Sequence, residues 1–256
     1  LGISWRFLYV AAVPVLVLVA LLRRRLPESR RFLAAAEEGH LAGRWHEILR
    51  APHRRRLLAV VAIAVLANLS AQAHVFVVDF MQTQRHQSAS TANLLLVAAG
   101  AVAIPVLLFA GSLSDRYGRK RIAAGFLVLS ALGPLAFFYL ATGPLTLFLA
   151  LAFVYVGDFG AWPTSTGIGS EVFPTALRAT GGAAVTTAKY TGQFLSFVLA
   201  SALISLTGNL PNAVAVLMAG PVIAAVVLLT TLPETGSIEL EAIPMGALTP
   251  VPGIAP

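Results

Sequence analysis

Apolar residues fall in long blocks along this chain, and short polar segments separate them. Hydropathy and turn residues together mark seven blocks, at 5–22, 57–80, 93–113, 122–141, 145–168, 182–207 and 211–232. Each reaches or approaches the ~20 residues with which an α-helix crosses a ~30 Å hydrocarbon core. The predicted fold is therefore an all-α membrane protein with seven transmembrane helices. Only Thr142-Gly143-Pro144 separates the fourth block from the fifth, and only Gly208-Asn209-Leu210 the sixth from the seventh. Gly and Pro at these points predict tight turns, so each pair should form an antiparallel hairpin.

Composition points the same way. Hydrophobic residues make up 57% of the 256 and charged residues 11%, whereas a soluble domain carries about a quarter charged residues. Too little polar surface exists to coat a water-soluble globule. The net charge of +7 does not imply nucleic acid, because most of the basic residues lie between apolar blocks, where positive charge sets topology. Segment 23–56 holds ten arginines and segment 114–121 holds Arg116, Arg119, Lys120 and Arg121, while the alternate loops offer Arg85 or nothing. The positive-inside rule puts the basic loops in the cytoplasm. The N-terminus is then outside and the C-terminus cytoplasmic, as an odd number of spans requires. Cysteine is absent, which excludes disulfides and thiolate metal sites.

Arg23-Arg24-Arg25 follow the first block and only Arg6 stands near its start, the reverse of a signal peptide. With Leu1 in the place of an initiator Met, the start reads as an internal cut. Leu26-Pro27-Glu28-Ser29 after the first block is echoed by Leu232-Pro233-Glu234-Thr235 after the last, six spans later. Such an echo marks a six-helix repeat whose earlier copy is present only as its final helix. The expected organisation is one extra helix (1–22), a basic cytoplasmic linker (23–56) against the inner leaflet, a six-helix bundle (57–232) and a cytoplasmic tail (233–256).

Polar residues inside spans are costly, about 2.5–3.5 kcal/mol for a central charge, and by default mark solute or ion pathways. At about 100° per residue, Asn68, Gln72 and Asp79 share one face of the second span. Asp158, Trp162, Ser165 and Gly169 form a stripe on the fifth, and Thr186, Lys189, Gln193 and Ser196 one on the sixth. Three such stripes predict a central polar cavity. Asp158, at mid-span, is the best candidate for a proton or substrate site. Lys189 is expected to share a salt bridge or the cavity with it, or else to snorkel. Asp79 is interfacial or functional, and Trp162 is a stacking or gating residue or faces lipid. His74 points away from the stripe of the second span, for helix packing or as a proton relay. Pro105 and Pro163, with Gly157, Gly160, Gly167 and Gly169, permit bending of the third and fifth helices.

Gly111-Ser112-Leu113-Ser114-Asp115-Arg116-Tyr117-Gly118-Arg119-Lys120-Arg121 lies between the third and fourth spans. Gly118 suits a tight turn, Asp115 can cap a helix, and Arg116 and Arg119 can fork onto carboxylates. The run resembles the loop signature of the major facilitator superfamily. Glu171-Val172-Phe173-Pro174-Thr175-Ala176-Leu177-Arg178-Ala179-Thr180-Gly181 resembles the segment between the fourth and fifth helices of a half in sugar-porter-like and organic-acid facilitators. Pro27-Glu28-Ser29 with Arg31, and Pro233-Glu234-Thr235 with Leu240, are similar to flanking motifs of the same group. Together the four motifs cover the chain from Leu1 to about Ile243.

The resemblance implies the C-terminal six-helix half of a secondary active transporter, with residues 1–22 as the last helix of a missing N-terminal half that transport would need. It implies alternating access for a small organic solute, coupled to protons, in a bacterial inner membrane. Asp115, Arg116, Gly118, Arg119, Glu171 and Arg178 would then form a cytoplasmic gate, and Asp158, Lys189, Asn68, Gln72, Asp79, Trp162 and Gln193 the solute and proton pathway. A sugar substrate is the alternative. The stretch Ala67-Asn68-Leu69-Ser70-Ala71-Gln72-Ala73 keeps one amide of the sugar-porter pattern and has Ala73 at its final Asn, while Arg178-Ala179-Thr180-Gly181 leans towards organic acids. A truncated remnant or a regulatory membrane protein is the reading from another class. No nucleophile–base set or metal-ligand cluster suggests an enzyme, and no cofactor is expected.

Overall fold

The computed structural model describes residues 6–25, 45–51 and 53–234. The chain divides into two compact units, residues 1–43 and 44–256. In the first, α1 (Arg6–Arg25) occupies the first apolar block, carries Pro14 inside it and exposes the valines and leucines between Val13 and Leu22. The Pro27-Glu28-Ser29 motif, most of the linker and the tail beyond Glu234 lie outside the described residues.

The second unit opens with a 3₁₀ turn, Trp45–Leu49, and continues into six helices long and apolar enough to cross a membrane. They are α2 (His53–Thr83), α3 (Ala89–Tyr117), α4 (Arg119–Leu140), α5 (Pro144–Glu171), α6 (Thr175–Thr207) and α7 (Leu210–Thr231). Among the described residues no strand occurs. The helices extend beyond the apolar blocks because hydropathy reports lipid contact, while helix limits follow local caps. The Ser88 hydroxyl accepts the Thr91 N–H at 3.1 Å to open α3, and Asn209 accepts from Asn212 N at 2.9 Å to open α7. Such caps contribute about 1 kcal/mol each. Pro144 starts α5, where its missing N–H costs nothing. Gly208 ends α6 with φ +79°.

Two helices depart from regularity. The π turn Ala136–Leu140 ends α4. In α2 the α-helix stops at Ala67 and gives way to a 3₁₀ turn, Asn68–Ser70; it then resumes at Gln72–Val75, bends at Phe76 and resumes again at Val77–Thr83. Side chains help cause the break. Ser70 Oγ donates to the Ala67 carbonyl at 3.2 Å and Asn68 Nδ2 to the Ala64 carbonyl at 2.8 Å, competing with the helical ladder.

Glycines let the hairpin α4–α5 close tightly. A Cβ on Gly133 would meet the Val154 backbone at 2.7 Å, and one on Gly157 the Ser130 nitrogen at 2.5 Å; Gly160 faces the Phe126 ring. Gly157 and Gly160 thus serve close packing in addition to any bending, the use of small residues expected between membrane helices. At one end of the bundle, Phe138 packs edge to face with Phe80 and Phe137, centroids 4.7 and 5.1 Å away, and the Arg85 guanidinium lies 5.0 Å over Phe80. At the other end Ile48, Leu57, Phe173 and Leu177 form a small apolar cluster.

Candidate functional site

A cavity of about 630 Å³ opens among α2, α4, α5, α6 and α7. Its walls are apolar at Ile63, Leu127 and Ile168, and its polar side chains come from α2, α4, α5 and α6. The break in α2 matters here, because it turns His74 towards α5, where His74 Nε2 hydrogen-bonds the Asp158 carboxylate. The Tyr155 ring stands 5.6 Å from the His74 ring, and Phe159 5.6 Å from Tyr155. An ionised carboxylate at this depth needs a partner, and the imidazole supplies one.

Lys189, on α6, lines the same cavity but makes no ion pair with Asp158. Its Nζ lies 4.4 Å from the centroid of Trp162 and 5.9 Å from that of Tyr190. Gln193 Nε2 donates to Asn68 Oδ1 at 3.3 Å, tying α6 to the broken part of α2. Ser165 and Thr186 also line the cavity, each donating its hydroxyl to a carbonyl of its own helix, Ala161 and Gly182. Asn68, Asp158, Trp162, Lys189 and Gln193 therefore meet in one space.

Gln72 and Asp79 do not join them. Gln72 is fully buried and its amide has no partner among the described residues, while Asp79 is exposed near the end of α2. Both were placed by an unbroken 100° step, which the 3₁₀ turn and the bend at Phe76 invalidate. The same error hid His74. The signal available in the sequence was the pair Asn68 and Ser70, whose side chains unsettle a helix.

The basic end carries a second constellation. Gly118, with φ +97°, is the only residue between α3 and α4, and a Cβ there would approach Glu234 Oε2 to 3.3 Å. Arg119 Nη1 pairs with Glu171 at the end of α5, and its Nε and Nη2 each reach Asp115 Oδ1 at 2.9 Å. Glu234, after α7, accepts the Arg119 N–H at 2.8 Å and the Lys120 N–H at 3.3 Å. The N-terminus of α4 is thus capped by Glu234 and not by Asp115, which serves Arg119 instead. Lys120 Nζ donates to the Leu229 carbonyl at 2.8 Å, and Arg56 Nη1 to that of Val172 at 3.0 Å. Arg116 lies over Tyr117 at 5.4 Å, away from these carboxylates. Arg178 does not pair with Glu171; its Nε and Nη2 are buried without a hydrogen bond among the described residues. Geometry decides this, since Arg119 already occupies the Glu171 carboxylate.

The sequence profile of the Major Facilitator Superfamily matches residues 58–252. The chain belongs to that superfamily. As a major facilitator it is an integral membrane protein of a family that carries small solutes across membranes and does no enzyme chemistry. The facilitator's matched region takes in both constellations except Arg56, the cavity and the basic end. No curated protein matches the chain.

Proposed function

We propose that this facilitator is the C-terminal six-helix half of a proton-coupled secondary transporter that moves a small organic solute by alternating access. The observation that carries the reading is the hydrogen bond between His74 and Asp158, on two different helices and facing one cavity. Protonation of Asp158 removes the charge that holds His74, so a proton arriving from one side loosens α2 from α5. A solute in the same cavity feels that change directly, and shared occupancy of one space is what couples two substrates.

The basic end is the gate in this proposal, and it faces the cytoplasm. Arg119 joins the start of α4 to the end of α5, and Glu234 joins α7 to the start of α4. Closed, these contacts hold three helix ends together; switching breaks them.

The intact protein, reconstituted in liposomes with a pH dye inside, tests the proposal. Solutes that drive proton movement in the wild type should drive none in Asp158→Asn, while His74→Gln should retain solute binding and lose coupling. A pH gradient that still drives full solute accumulation through Asp158→Asn would overturn it.

A further inference from the structure

We infer that the solute is an organic monocarboxylate with a planar aromatic body, and that Lys189 over Trp162 is its carboxylate site. The inference rests on the transport reading for the word solute, and on geometry for the rest. Lys189 is a cation within the membrane-crossing part of α6 and lines the cavity. Among the described residues it has neither an ion pair nor a hydrogen bond. The cavity's own carboxylate, Asp158, is held by His74. What Lys189 does have is the indole face at 4.4 Å. A cation–π contact stabilises an ammonium less than a hydrogen-bonded carboxylate does. The position is therefore filled by a cation whose strongest partner comes from outside.

The rest of the lining narrows the class. Among the described residues Lys189 is the only Lys or Arg lining the cavity, so this wall offers one fixed positive charge, the match for one carboxylate. The amides of Asn68 and Gln193 bind each other, and the Ser165 and Thr186 hydroxyls already donate to their own helices. Hydroxyls of Tyr155, Thr166 and Tyr190 on the lining remain to meet polar substituents of the solute. The rings of Tyr155, Phe159, Trp162 and Tyr190 line the space and suit a flat aromatic body, and about 630 Å³ falls in the size range of small-molecule sites.

Calorimetric titration of the intact protein in detergent, with no pH gradient, reads the site apart from transport. Benzoate should bind saturably and its uncharged analogue benzamide should not compete. Lys189→Gln should weaken benzoate about 10–100-fold, the loss of one charge-assisted hydrogen bond, and Lys189→Arg no more than about threefold. Size-exclusion profiles check that each variant is folded; if Lys189→Gln is not, Lys189→Arg and the benzamide comparison decide. No benzoate binding, equal binding of benzamide, or unchanged affinity in folded Lys189→Gln overturns the inference. Lys189-dependent binding without any solute-driven proton flux supports the carboxylate site and sinks proton coupling. Proton flux driven only by uncharged solutes does the reverse.

Discussion

Replacing Gly157 by alanine tests whether the α4–α5 contact sets the position of Asp158. An ideal Cβ on Gly157 falls 2.5 Å from Ser130 N and 2.7 Å from Leu129 C and Ser130 Cα, where ordinary contact starts at 3.4 Å. The shortfall is about 0.9 Å, and all three atoms are backbone, so no side chain can swing aside. Overpacking of this kind costs ~1–3 kcal/mol, and a backbone obstacle puts it near ~3. Alanine returns ~1 kcal/mol of helix propensity, leaving the variant destabilised by ~2 kcal/mol. Gly125, on α4, has nothing within 4 Å of its virtual Cβ. Gly125→Ala should therefore stabilise by ~0.5–1 kcal/mol, and the two variants should differ by ~3 kcal/mol. Thermal unfolding in detergent should place Gly125→Ala at or above the wild type and Gly157→Ala several degrees below it. Because Asp158 is the next residue, parting α4 from α5 also displaces its carboxylate relative to His74. A displacement near 1 Å can cost on the order of 100-fold in rate, so solute-driven proton flux should fall far more than stability alone requires. Melting of Gly157→Ala at the wild-type temperature would refute the packing argument and the link to Asp158 together.

At the basic end, Arg119→Ala and Glu171→Gln should each cripple transport while leaving membrane insertion intact, and a double-mutant cycle on thermal stability should show coupling of ~0.5–3 kcal/mol. Wild-type transport in Arg119→Ala, or strict additivity, would remove the gate. Glu234→Gln should cost ~1 kcal/mol at the N-terminus of α4 without altering benzoate affinity; a changed affinity would show that the cap and the cavity are not separate. Since the sequence lacks cysteine, single cysteines at the exposed positions Ser90 and Arg121 can report topology. An impermeant thiol reagent should label them from opposite sides of the membrane, and labelling from one side would contradict the orientation.

The spans were legible because lipid demands length and apolarity, both of which are local properties of sequence. The hairpin turns at Gly143 and Gly208 and the sharp turn at Gly118 were legible for the same reason, since each depends on one or two residues. On α5 and α6 the polar stripes led directly to Asp158, Trp162, Lys189 and Gln193, because those stretches are continuous helix. On α2 the same arithmetic placed Gln72 and Asp79 on the Asn68 face and His74 off it, and the break from Asn68 to Phe76 undid all three. No Pro or Gly lies in that stretch to announce it. Partner choice was the other gap. Asp158 takes His74, 84 residues away on another helix, where the polar stripes had pointed to Lys189, and Glu171 takes Arg119 within the expected gate and leaves Arg178 aside. Spacing along a chain shows which groups share a face, and only packing shows which of them touch.

Glu234 has a consequence in time as well as in space. Its carboxylate caps a helix that begins 115 residues earlier in the chain. At a synthesis rate of roughly 5–20 residues per second, α4 waits on the order of 6–23 s for it. Through that interval the exposed amides at the start of α4 have only water and headgroup phosphates to satisfy them. A contact made late in biogenesis thus fastens the ends of α4 and α7, and a chain cut just before Glu234 would leave those two ends unlatched.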